Sequence, residues 1–246
     1  MRMNLRLLVM PALLAAVQAT IQVASAGDIT GTITLNGTPP DEQINNAIAG
    51  DANCGKLHPE VVKTQFFVVG ANKELKDVVV SITGISGKST GASAEPVVLD
   101  QKGCEYTPYI FAVQTGQKII VRNSDPAPIL HNVHATPTAA GNQEINLPQA
   151  AGAGDLTMSF PSAENFLKIK CDVHQWMFAY VTVVDHPYFA VSGADGKFKI
   201  ANVPPGKYTI SAMHRKVNGG KPVTKDIEVK DGGVTLDFTL DAPGAK

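Results

Sequence analysis

Cys171-Asp172-Val173-His174-Gln175-Trp176-Met177 carries a thiol, an imidazole and a thioether at C-x2-H-x2-M spacing. Apolar alternation stops at Cys171 and resumes at Phe178, so this stretch reads as a tight connection between two strands. Three such side chains on one short connection can turn toward a single point. A second imidazole is available upstream, where the turn Asn123-Ser124-Asp125-Pro126 leads into His131-Asn132-Val133-His134. Two imidazoles, one thiolate and a weak thioether form the donor set of a type 1 copper site. Soft sulfur suits Cu(I) and nitrogen suits Cu(II). A trigonal plane with a distant thioether serves both, so little needs to move when an electron passes. Strand ends supply the rigidity such a site requires.

Other chemistries fit less well. Zinc takes Cys and His, but a thioether is a poor zinc ligand and no fourth donor is evident. A c-type haem needs C-x-x-C-H, which is absent. A lone C-x2-H with an apolar surround could be plain core. The four residue types together with their strand context favour copper.

The elements that must position these residues are strands. Residues 27–36 alternate and end at a Gly-Thr-Pro-Pro turn. Residues 41–60 are polar and irregular, with one helical turn near 42–48. Phe66–Val69 and Val78–Ile82 read as a hairpin, and 84–96 as a loop. Tyr109–Val113, Lys118–Arg122, Leu156–Phe160, Phe166–Cys171 and Phe178–Val184 read as strands, with a long loop over 136–155. Beyond Asp185-His186-Pro187, short strands over 190–192, 197–200, 207–214, 225–229 and 234–240 read as a separate small sandwich. That tail has no Cys, and His214, following a strand, reads as a surface or edge residue.

The ligand loop resembles that of the cupredoxins, and its short spacing is most similar to the amicyanin type. Gly116–Asn123 followed by His131-Asn132-Val133 resembles the strand and His-Asn pair of plastocyanins and amicyanins. The resemblance implies His131, Cys171, His174 and Met177 as metal ligands. It implies that Asn132 steadies the site and that His174 is the solvent-edge ligand through which electrons leave. Trp176 would lie beside it. His134 is an extra imidazole three residues after His131; on a strand it points to the opposite face, which makes it the alternative first ligand rather than the expected one. The resemblance covers residues 105–184 and implies one copper ion and single-electron transfer. The implied partners are a c-type cytochrome or a periplasmic dehydrogenase. The C-terminal tail, with its Asp195-Gly196 and Pro204-Pro205-Gly206 turns, resembles the carboxypeptidase regulatory-like (transthyretin-like) sandwich, which implies a structural or docking role.

Composition agrees with these readings. The chain has 246 residues, 44% hydrophobic and 17% charged, with a formal net charge of −1. That can fill a core and offers no basic face for nucleic acid. Arg2 and Arg6, the apolar run Leu7–Val17 and Ala24-Ser25-Ala26 have the three parts of a secretory leader over residues 1–26. The run is short for an uncleaved anchor, and no cysteine follows for lipid attachment. The expected compartment is therefore periplasmic or extracellular, where disulfides persist. Of three cysteines, Cys171 as a ligand leaves Cys54 and Cys104. These form a bridge, stay free, or with His58 make a second metal site.

The expected fold is all-β: a cupredoxin-like Greek-key sandwich over 27–185 and a small transthyretin-like sandwich over 186–246. No nucleophile–base set or paired acids point to catalysis. The rival readings are copper delivery without fast redox, and an envelope interaction module.

Overall fold

A computed structural model describes residues 25–245. The expected leader lies outside the described residues except for its last two positions. Among those described, no helix is long and apolar enough to cross a membrane.

The chain is built from strands, with Asn46–Gly50 a single short turn of α-helix. Gly27–Asn36 buries Ile29, Ile33 and Leu35 and leaves the intervening threonines partly exposed, as its alternation requires. It pairs antiparallel with Lys197–Val203 and parallel with Val234–Thr235 and Phe238–Asp241. The expected strand over 234–240 is therefore split in two. At the break, Leu236 N–H donates to Thr30 O at 2.7 Å. A Cβ on Gly31 would stand 2.0 Å from the Leu236 carbonyl oxygen, so only glycine allows this approach.

Val79–Ile82 does not pair with residues 66–69. It lies between Phe189–Val191 and Gly206–Met213, and the latter carries Val223–Val229 on its other edge. Val69 makes only an isolated bridge to Leu75. The core between these two sheets joins Ile29, Ile33 and Val80 to Ile200, Ile210 and Phe238. Both chain ends thus build one sandwich. This pairing crosses the boundary expected at 185/186. The C-terminal strands need the apolar face of Gly27–Asn36 to close their core, so the site-bearing unit is an inset between the two halves of the other.

The inset is a second sandwich. One sheet runs Ile110–Gln114, Phe178–Val184, Glu164–Lys170, Leu130–Thr136, Ile145–Ala150; the other runs Glu105–Thr107, Val97–Lys102, Ile119–Asn123, Leu156–Met158. Leu99, Phe111, Val121, Val133, Leu167 and Val181 pack between them. Ile145–Ala150 lies within the expected loop 136–155. Only Gln149 of its six residues is buried and Pro148 interrupts it, which suits an edge strand and hides it from pattern reading.

The units meet at an aromatic junction. The Arg215 guanidinium stands 4.2 Å from the Tyr180 ring, 5.5 Å from Phe66 and 5.8 Å from Tyr109, and donates to the Tyr109 hydroxyl. The linker is pinned too. Asp185 accepts from Gly87 N–H and from the Thr115 hydroxyl. His186 is buried, donating from Nε2 to Ile82 O at 3.0 Å and accepting the Tyr188 N–H on Nδ1.

Candidate metal centre

Cys171 follows the Glu164–Lys170 strand and Met177 precedes Phe178–Val184, so the loop between them is held by an antiparallel pair. It also closes on itself: Cys171 N–H donates to Met177 O at 3.0 Å, and Met177 N–H to His174 O at 2.9 Å. His131 enters from the neighbouring Leu130–Thr136 strand. The result brings His131 Nδ1 within 3.0 Å of His174 Nδ1, with Cys171 Sγ 4.0 Å from the first and 3.8 Å from the second. All three residues are buried.

This triangle fits a metal ion. A point about 2.1 Å from each nitrogen and about 2.3 Å from the sulfur lies close to the plane of the three atoms. The ring proton of His131 is spoken for, because Nε2 donates to Asp125 Oδ2 at 2.8 Å. That leaves the Nδ1 lone pair facing His174 and the sulfur. Two imidazole nitrogens 3.0 Å apart repel unless a proton or a cation lies between them. Among the described residues two other donor groups of this kind occur, and both include Cys54 or Cys104. Those sulfurs are joined to each other, so neither can act as a thiolate.

The electrostatics follow the same contacts. Burial pushes the Cys171 thiol up, but the His131 ring and the N–H groups of Asn132, His174 and Val173 outweigh it and leave it lowered. Burial would lower His131, yet Asp125 and Cys171 together raise it. His174 is lowered by burial and by the charge of His131. Asp125 is held low despite burial by His131 and by the N–H groups of Cys104 and Gly103. Thiolate formation is thus favoured where a metal would need it.

Asn132 holds the loop start, its Oδ1 accepting from Asp172 N–H at 2.7 Å and from Cys171 Sγ at 3.4 Å. Met177 is 1% exposed and packs in the core that contains Cys171. His134 does not join the cluster. Its Nδ1 lies 2.7 Å from Asp172 Oδ2 and its Nε2 lies 2.6 Å from Glu144 Oε1, on the opposite face of its strand. Asp125 was visible in sequence only as a turn residue, and nothing in its spacing marks it as the partner of His131.

One implied property is corrected. His174 is not at the solvent edge but 7% exposed. The Cys54–Cys104 disulfide pins the segment around Asn46–Leu57 across it, and Ile48, Cys54, Cys104 and Ile129 form a small core there with Leu57, Val62 and Trp176 packed on it. The two sulfurs and a His174 nitrogen lie within 4.8 Å of one another. The Trp176 ring lies tilted against His174, with centroids 5.0 Å apart, and donates its indole N–H to Cys104 O.

No family model and no curated protein matches the chain. Solved structures do resemble it. A copper-containing nitrite reductase from Thermus scotoductus SA-01 is 16% identical over 37% of this chain and 23% of its own, with TM-score 0.33. The chain therefore spans less than a quarter of that protein. A Cu(I) amicyanin variant is 19% identical over 42% of this chain and 97% of its own, with TM-score 0.32. An oxidised amicyanin variant is 20% identical over the same shares, also with TM-score 0.32. The fold is all-β, and the donor atoms sit in a sandwich of a five-stranded and a four-stranded sheet. The assignment of the donors rests on their own geometry.

Proposed function

We propose that this chain holds one copper ion between His131 Nδ1, Cys171 Sγ and His174 Nδ1, with Met177 as a weak fourth ligand, and carries single electrons between redox proteins outside the cytoplasm. The observation that carries the reading is the buried convergence of one sulfur and two imidazole nitrogens. Copper there would alternate between Cu(II) and Cu(I), accepting and giving one electron. The chain's own residues hold the frame: Asp125 fixes the His131 ring, Asn132 steadies the Cys171 end of the loop, and the loop's internal hydrogen bonds set His174 relative to Met177. A preorganised, water-poor cluster lowers the reorganisation that each electron transfer needs.

The partners in this reading are a c-type cytochrome or a dehydrogenase of the periplasm. The sandwich made by the chain ends, whose turns resemble the carboxypeptidase regulatory-like type, serves as a scaffold for the site-bearing unit. Copper delivery is the weaker reading, because the disulfide-pinned cover over His174 opposes ready hand-over of the ion.

The test is optical and EPR titration of the purified protein with Cu(II). An intense visible thiolate-to-copper band with narrow hyperfine splitting is expected, and is lost in Cys171→Ala. A colourless or ordinary tetragonal adduct would sink the electron-transfer reading.

A further inference from the structure

Against the ligand loop, beneath residues 44–47 and 63–66, lies a cavity of about 340 Å³. Five aromatic side chains line it, Phe66, Tyr106, Tyr109, Trp176 and Phe178, and of these only Tyr106 is buried. Met177 lines it as well. An aromatic-walled cleft of this size beside an ordered loop is the form a small-molecule site takes. A cavity of roughly 150 Å³ is enough for benzene. The space here therefore admits one substituted ring or two fused ones.

The walls favour a flat guest. Phe66 and Phe178 are 20° from parallel with centroids 6.5 Å apart, and Tyr109 tilts toward Phe178 at 6.0 Å. Polar residues line the space as well, Lys63 and Glu105 among them. Burial pushes the Glu105 carboxyl up, so it can share a hydrogen bond with a hydroxyl group. Cations already occupy other faces of the wall: Lys216 lies 4.4 Å from the Phe66 ring, and Arg215 packs on Phe66 and Tyr109. Their field opposes a cationic guest and tolerates an electron-rich one.

We infer that this cavity binds a small planar aromatic alcohol of the phenol or naphthol class, with its ring between Phe66, Phe178 and Trp176 and its hydroxyl toward Lys63 and Glu105. The site is separate from the three donor atoms and needs no metal. It shares Trp176 and Met177 with the ligand loop, so an occupant would lie directly against that loop.

The experiment uses the full chain stripped of metal by a chelator, titrated with 2-naphthol by calorimetry. The indole resonance of Trp176, the chain's single tryptophan, is followed by NMR in a labelled sample. Saturable heat with a shift of that resonance is expected, and decahydro-2-naphthol should bind at least tenfold more weakly. Ile44 lines the cavity and is 54% exposed, so Ile44→Asp leaves folding intact and should weaken 2-naphthol at least fivefold. Phe178→Ala should weaken it tenfold or more. Absence of saturable heat, equal affinity for the saturated analogue, or unchanged affinity in Ile44→Asp would overturn the inference. Because metal is absent throughout, none of these outcomes bears on the copper reading.

Discussion

Asp125 Oδ2 lies 2.8 Å from His131 Nε2, and the same oxygen accepts the Cys104 backbone N–H at 2.8 Å. One carboxylate thus orients a candidate ligand and anchors the disulfide that covers the other imidazole. Its second oxygen takes the Gly103 N–H. In Asp125→Asn the amide can still accept from His131 but loses the charge and one acceptor for these N–H groups. Copper affinity measured by competition with a chelator should fall about 10- to 100-fold. The visible band should persist, since the three donor atoms remain. Urea unfolding of the metal-free variant should show a loss of about 1–3 kcal/mol.

The two candidate imidazoles should separate cleanly. His134 is held by Asp172 and Glu144 on the far face of its strand, while His131 faces the sulfur. His134→Ala is expected to keep the visible band and its intensity. His131→Ala should abolish it and leave a weak, ordinary Cu(II) adduct. Paired optical titrations decide the matter, and loss of the band in His134→Ala would reverse the assignment.

That His131 and His134 face opposite ways was legible in the sequence, because strand alternation places residues three apart on opposite faces. The ligand loop was legible for a related reason: Cys171, His174 and Met177 are local, and the strands on either side follow from Lys168 and Lys170 alternating with Leu167 and Ile169. What failed was non-local. Gly27–Asn36 reads as a strand, but its pairing with Lys197–Val203 joins residues more than 160 apart, and no period encodes that. The cover over His174 depends on a bridge from Cys54 to Cys104, and whether a segment 120 residues upstream would lie over the loop is a tertiary matter. Ile145–Ala150 failed for a local reason, since an exposed edge strand with a proline carries no apolar alternation.

The disulfide should matter for both stability and access. It spans 50 residues of sequence, worth about 4 kcal/mol in the chain-entropy picture. A Cys54→Ser, Cys104→Ser double variant should lower the unfolding free energy by up to that amount in urea. The segment around Asn46–Leu57 should then exchange its amide hydrogens faster, because only the small core around Ile48 and Ile129 is left to hold it over His174. The strand amides of Leu167 and Ile169 should keep their protection. Uniformly faster exchange across both regions would mean that the bridge supports the whole sandwich rather than the cover alone.

His214 was expected at a surface or edge and is instead 3% exposed, with its ring 5.3 Å from Phe67. Burial, aided by the charge of Arg215, pushes its pKa down to about 4. The unfolded chain takes up this proton near pH 6.5, whereas the folded chain excludes it until about pH 4. Between those values the unfolded state binds more protons, so stability is full above pH 6.5 and declines as the pH falls. The decline should reach about 3 kcal/mol by pH 4, at no more than about 1.4 kcal/mol per pH unit. His214→Phe keeps a ring against Phe67 but removes the acceptor for Lys216 N–H, a loss of about 1 kcal/mol at neutral pH. Urea midpoints of the two proteins from pH 7.5 to 4.5 provide the comparison. The gap between them should close and then reverse on acidification, and parallel curves would show that His214 is protonated in the folded chain.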